Sequence, residues 1–142
     1  MSTLESPSAP VAEPRPRIGC GAAIIDGLGR ILLVQRKRQP EAGYWGQPGG
    51  KLDWGESGRT CAEREILEEL GITIVAGPVL CVTDMIGPDS HWVAVTYRAD
   101  GCVGEPAIQE PQALADWGWF PLDALPSPLT AATLDAVAVL RA

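Results

Sequence analysis

Apolar positions along this chain fall into short runs broken by glycine and proline, with one clear helical stretch near the middle. Ile18 to Asp26 is apolar and strand-like, Gly27-Leu28-Gly29 reads as a turn, and Ile31-Leu32-Leu33-Val34 continues as a second strand. Two such runs around a glycine turn predict a β-hairpin. Gln39 to Gly50 carries two prolines and four glycines and reads as a structured loop, with a short strand expected at Lys51 to Trp54. Ile72 to Val75 and Val79 to Met85 read as strands. Gly87-Pro88-Asp89-Ser90 is a turn, and His91 to Arg98 alternates as a further strand. Residues 100–116 form a long loop, and Trp117 to Phe120 is a short strand.

Ser57 to Leu70 is the best helix. Ser57 suits an N-cap, Gly71 suits a left-handed stop, and Ala62, Ile66 and Leu70 recur on one side with Leu67 nearby. Leu129 to Leu140, rich in alanine and leucine, predicts a C-terminal helix that starts near Thr130 or Ser127. Strands outnumber helices in mixed order, which points to an α+β fold with helices packed on sheet faces.

A length of 142 residues fits one domain with a sizeable single core. Residues 1–16 hold four of the 13 prolines and too little apolar surface to order themselves, so a disordered tail is expected, followed by a domain at 17–142. The net charge of −7 argues against a phosphate-gripping nucleic-acid protein. No apolar run approaches the ~18–20 residues of a membrane span, and the N-terminus has no signal-peptide core. The cysteines Cys20, Cys61, Cys81 and Cys102 show no metal or redox spacing and are expected as reduced thiols of a cytoplasmic protein.

The charged face of the central helix changes the picture. Glu65, Glu68 and Glu69 stand at i, i+3 and i+4, on one arc about 100° wide, with Arg64 beside it. Like charges at that spacing cost a helix roughly 0.2–0.5 kcal/mol per pair. Taken alone, the cluster fits either a solvated acidic face or an all-oxygen site for Mg²⁺ or Mn²⁺. What precedes it narrows the choice. Gly50 is followed by five residues, Glu56, seven residues, Arg64-Glu65, the aliphatic Ile66, Leu67, Glu68-Glu69, Leu70, Gly71 and the aliphatic Ile72.

That run resembles the Nudix box and meets every defined position of its 23 residues. Tyr44-Trp45-Gly46-Gln47-Pro48-Gly49-Gly50 resembles the usual lead-in, and Trp117 to Pro126 resembles the closing strand and turn, so the likeness covers about residues 17–141. The resemblance implies an α/β/α sandwich, a mixed sheet flanked by the catalytic helix and a C-terminal helix. It implies cleavage of a pyrophosphate linkage in a nucleotide with Mg²⁺ or Mn²⁺. By similarity Glu65 and Glu69 are metal ligands, Glu68 a third ligand or the base for water, and the Gly49 carbonyl a further ligand. Arg64 orients the glutamates and Glu56 supports the helix start.

The same resemblance assigns Arg36, of the cluster Arg36-Lys37-Arg38, to substrate phosphates, and lets the loop residue Glu110 reach the site as a ligand or base. Gly50 lets backbone approach the substrate. Gln47 stands where an aliphatic residue is common, so its polar side chain is a candidate base contact. Trp45 or Trp92 could border a base pocket by stacking, and His91 reads as a surface residue at a strand start. Short length favours a nucleoside triphosphate, canonical or modified, converted to monophosphate and pyrophosphate. An ADP-ribose pyrophosphatase is the alternative, since Pro88 lies sixteen residues past Ile72. A silent nucleotide-binding sensor is the rival from another class, and many members of the family are homodimers.

Overall fold

The computed structural model describes residues 14–142. Most of the expected Pro-rich tail therefore lies outside the described residues. Seven strands and two helices follow in chain order: β1 Arg17–Ile25, β2 Arg30–Arg36, β3 Trp45–Gly46, β4 Gly49–Lys51, α1 Gly58–Leu70, β5 Val79–Ile86, β6 His91–Asp100, β7 Leu114–Pro121 and α2 Ala131–Arg141. The architecture is the mixed α+β sandwich expected from the sequence.

β1 organises the sheet. Along one edge it runs parallel to β6 over its full length, from Arg17↔Trp92 to Ile25↔Asp100. Its other edge is shared. Near its start it pairs antiparallel with β4 through Gly19↔Lys51, Cys20↔Gly50 and Gly21↔Gly49. At its end it meets β2 at Ile25↔Ile31. Between these contacts the sheet splits, because β2 leaves β1 to pair with β7 and β3. β5 pairs antiparallel with β6 on the far side.

Both faces of β1 and β2 are covered, so their sequences read as continuous apolar runs rather than alternating ones. Ala22, Ile24, Leu32 and Val34 join Ile66 and Leu70 of α1 in one core cluster. Ala23, Ile31 and Leu33 face the opposite way, toward Trp45, Phe120, Leu129 and Leu140. Thus α1 and α2 lie on opposite faces. Trp45 is part of this second cluster, its ring 5.3 Å from Phe120 in edge-to-face contact. Its stacking on a base is replaced by core packing.

The helix ends match expectation. Ser57 accepts from the Thr60 N–H, and Gly71 closes α1 in the left-handed region at φ 71°. Thr130, not Ser127, caps α2. Four local expectations shift. The strand expected at Lys51 to Trp54 sits earlier, at Gly49–Lys51, because Gly49 and Gly50 supply the ladder partners on β1. Beyond it the Asp53 N–H turns back to Glu56, and Trp54 is fully exposed. Ile72 to Val75 alternates buried and exposed, but only Thr73 finds a partner, Val103. β7 begins within the expected loop, at Leu114, where a bulge between Gln35 and Arg36 resets the register. The long loop 39–50 contains the two-residue strand β3.

Gly46 shows how tightly α2 is seated. A Cβ there would meet the side chains of Thr130 and Thr133. Gly46→Ala is expected to destabilise the fold by about 1–3 kcal/mol through overpacking, read as a lower denaturant midpoint at unchanged slope.

Candidate active site

The split between β1 and β2 opens a cavity of about 360 Å³. Arg36, Gln47, Gly49, Gly50, Glu65, Glu69 and Glu110 all line it. Seven residues singled out from the sequence thus meet in one place, although Glu110 comes from a loop forty residues beyond the helix. Glu56, Arg64 and Glu68 stand beside the cavity rather than in its lining, joined to it through Arg64.

Arg64 is the hub. Its Nε donates to Glu56 Oε2 at 2.6 Å, and its Nη1 donates to Glu65 Oε2 at 2.8 Å and Glu68 Oε1 at 3.1 Å. Nη2 reaches Glu56 Oε1 at 3.0 Å and the Lys51 carbonyl at 3.2 Å, with Asp53 at 3.3 Å. One guanidinium therefore ties the helix to the loop before it and separates charges that would otherwise repel. The hydrogen bonds from Arg64 hold the Glu56 carboxyl at about 2, well below the usual carboxylate range.

Glu69 is the buried member. Only 9 % of it is exposed, and its Oε1 accepts the Gly49 N–H at 3.2 Å. Burial pushes its carboxyl up to about 8; the neighbouring Glu65 and Glu110 charges push the same way, and Gly49 and Arg36 oppose them. Burial also raises Glu65, against the pull of Arg64. Gly50 makes room for this arrangement, since a Cβ there would collide with the Glu65 carboxylate. A Cβ on Gly49 would strike the β1 backbone at Cys20 and Gly21. The paired glycines thus let a carboxylate lie directly on strand β4.

Among the described residues no three metal-ligating side chains converge on one point. Arg64 binds Glu65 and Glu68, while the Gly49 N–H donates to Glu69. The donor chemistry nevertheless fits a hard divalent cation. Glu65, Glu69 and Glu110 offer only oxygens and line one cavity, and burial first of all, with repulsion from neighbouring carboxylates, raises the Glu65 and Glu69 carboxyl groups.

Arg36 donates Nε to the Pro40 carbonyl at 2.9 Å and Nη2 to the Arg38 carbonyl at 3.3 Å. It therefore braces the loop at the cavity mouth while facing the same space as the glutamates. Cys61 is fully buried, its Sγ directed at the Gly50 carbonyl, and burial first of all pushes its thiol up to about 12. Cys20 is buried beside it. A thiol-specific reagent on the native protein should modify only the half-buried Cys81 and Cys102, with the other two appearing after unfolding. Early reaction of four thiols would contradict that reading.

Trp92 lines the cavity, as do Ala94 and Thr96, which the sequence reading missed. Their signal was present, because 92, 94 and 96 alternate along β6 and share a face. Lys51, Arg38, Met85 and Thr130 line it as well. His91 opens β6 opposite Ile86, away from the lining. Pro88 sits in a turn closed by the Gly87 N–H and the Ser90 carbonyl at 2.8 Å, so a turn role accounts for it.

Comparison with known proteins agrees with this geometry. The NUDIX domain family model matches residues 15–141. A Mycobacterium tuberculosis protein named "Putative 8-oxo-dGTP diphosphatase 2" is 36% identical over 120 residues, covering 75% of this chain and 82% of its own. The CTP pyrophosphohydrolase of Escherichia coli is 36% identical over 111 residues, 67% of this chain and 82% of its own. The crystal structure of a MutT NUDIX hydrolase from Burkholderia pseudomallei superimposes with a TM-score of 0.84 at 52% identity, covering 89% of this chain and 98% of that one. The chain belongs to the Nudix family and is a pyrophosphohydrolase acting on nucleotide substrates.

Proposed function

We propose that this chain hydrolyses a nucleoside triphosphate, canonical or modified, to the monophosphate and pyrophosphate by water attack at phosphorus with Mg²⁺ or Mn²⁺. One observation carries the reading. One cavity is lined by the carboxylates Glu65, Glu69 and Glu110, by Arg36, and by Trp92 and Met85. A triphosphate likewise combines a charged chain with a flat base. The relatives named for 8-oxo-dGTP and CTP act on that class by name.

A divalent ion held by Glu65 and Glu69, with the Gly49 carbonyl, would neutralise phosphate charge and align the attacking and leaving oxygens. The protein residues do the rest. Arg36 meets phosphate oxygens with the guanidinium edge that the loop carbonyls leave open. Glu68 takes the proton from water or adds a third carboxylate. Glu110 adds a carboxylate from the loop before β7, and Arg64 fixes the direction of Glu65 and Glu68. Glu56 anchors Arg64 in turn, and the Gly50 backbone approaches the phosphates.

The test is product release with Mg²⁺ or Mn²⁺ across nucleoside triphosphates, 8-oxo-dGTP, ADP-ribose and diadenosine polyphosphates. Pyrophosphate and monophosphate from triphosphates are expected. Selective turnover of ADP-ribose would replace the triphosphate reading, and binding without turnover of any substrate would favour the sensor.

A further inference from the structure

The cavity carries a polar device beside Thr96 that the residues assigned to phosphate chemistry do not use. Gln47, in the link between β3 and β4, lines the cavity together with Trp92, Ala94 and Thr96 of β6. Its amide is held at both ends. Nε2 donates to Thr96 Oγ1 at 2.9 Å, and Oε1 accepts from Thr133 Oγ1 at 2.6 Å. The Gln47 backbone N–H also donates to Thr133 Oγ1, at 3.1 Å.

Thr133 has a single hydroxyl hydrogen, which Gln47 Oε1 takes. Thr130 and Thr133 also lie 2.8 Å apart, a contact in which either hydroxyl can donate. Both threonines belong to the start of α2, where Thr130 is the N-cap, and Thr133 is fully buried. Helix α2 thus supplies one of the two side-chain partners of the Gln47 amide, and Thr96 of β6 the other. Among the described residues, one acceptor, Thr96 Oγ1, is found for the two N–H groups of Nε2.

We propose that Gln47 is a specificity-determining residue that reads the base edge. Its second N–H donates to a keto oxygen of the base, and Thr133 acts as the positioning residue that holds the amide in this sense. The inference rests on the nucleotide reading above and deepens it. Keto bases such as hypoxanthine, guanine and uracil present an acceptor at the edge where adenine and cytosine present an amino donor. Trp92 and Met85 supply the flat apolar surface on which any base can stack, so they bind without discriminating. A site that hydrogen-bonds one group rejects an analogue lacking it far better than an apolar slot does, because a mismatched base leaves the amide unpaired or opposes donor to donor.

ITP and ATP differ at that edge, oxygen against amino group, and make the clean comparison. The experiment measures kcat/KM for both, and calorimetric Kd for their non-hydrolysable imido analogues, in the wild type, Gln47→Glu and Thr133→Val. Circular dichroism confirms folding of each. The wild type should favour ITP by about 10- to 100-fold. Gln47→Glu, which presents only acceptors, should move the ratio to unity or below. Thr133→Val should reduce it at nearly unchanged kcat for ITP. If Gln47→Glu fails to fold, Thr133→Val carries the test alone. A wild-type ratio within twofold of unity, or one unmoved in the folded variants, overturns the proposal and leaves triphosphate hydrolysis standing. A preference in Kd that Gln47→Glu abolishes, without turnover in the wild type, upholds it and overturns hydrolysis instead.

Discussion

Glu69→Gln should abolish turnover and at the same time raise the melting temperature of the metal-free protein at neutral and alkaline pH. The two effects share one cause. Glu69 is buried among Glu65, Glu110 and the Gly49 N–H, and its carboxyl is pushed up to about 8 from an ordinary value of 4.5. In the unfolded chain it ionises near 4.5; in the folded, metal-free chain it resists ionisation until about 8. The folded state therefore holds the extra proton through that window, and stability falls as pH rises from 4.5 to 8. Below 4.5 the penalty vanishes; above 8 it is complete, on the order of 2–4 kcal/mol. Glutamine keeps the acceptor for Gly49 and carries no charge, so the variant loses this contribution to the pH dependence. A divalent ion should raise the wild-type melting temperature at pH 8 and leave Glu69→Gln nearly unmoved. Loss of a carboxylate proposed to hold the metal should lower kcat by about 10³-fold or more. Thermal melts from pH 5 to 9, with and without Mg²⁺, check both halves. Parallel curves for the two proteins would show that the buried charge at Glu69 costs the fold nothing.

The catalytic helix was legible because its signals are local. Ser57 and Gly71 mark its ends, and the spacing of Glu65, Glu68 and Glu69 follows from helical period alone. What escaped the sequence depends on distant chain. β3 and β4 span two and three residues, too few for any periodicity to register, and the split they create is what opens the cavity. Ile72 to Val75 has the alternation of a strand, yet the opposing chain around Val103 offers only one residue to pair with. Glu110 lies in a stretch with no helical or strand rhythm, so only the fold brings it beside Glu69. Gln47 was legible as a departure from an apolar pattern, but its partners Thr96 and Thr133 are 49 and 86 positions away. Aromatic content misled in one place, since Trp45 and Trp92 look alike in sequence and end on different surfaces, one in the core and one in the cavity.

Arg64→Gln should be the most damaging change outside the cavity lining, and its signature differs from loss of a ligand. The guanidinium holds Glu56, Glu65 and Glu68 at once, and an uncharged glutamine amide, with two N–H donors, cannot satisfy all three. Glu65 loses the contact that counters its burial, so its carboxyl, already raised, should rise further. Glu56 should return from about 2 toward the ordinary range. Both shifts leave more protonated carboxylate at low pH. The variant should therefore lose kcat by about 10²–10³-fold near pH 6 and recover part of it as pH rises to 9, while KM changes little. Carboxyl NMR of Glu56 reads the electrostatic half directly, independent of catalysis. Arg64→Lys restores the charge but not the fork that bridges three carboxylates, so it should recover the Glu56 shift in part and the rate much less. If lysine restored the rate in full, Arg64 would act through its charge alone, and the bridging geometry would carry no part of the catalytic effect.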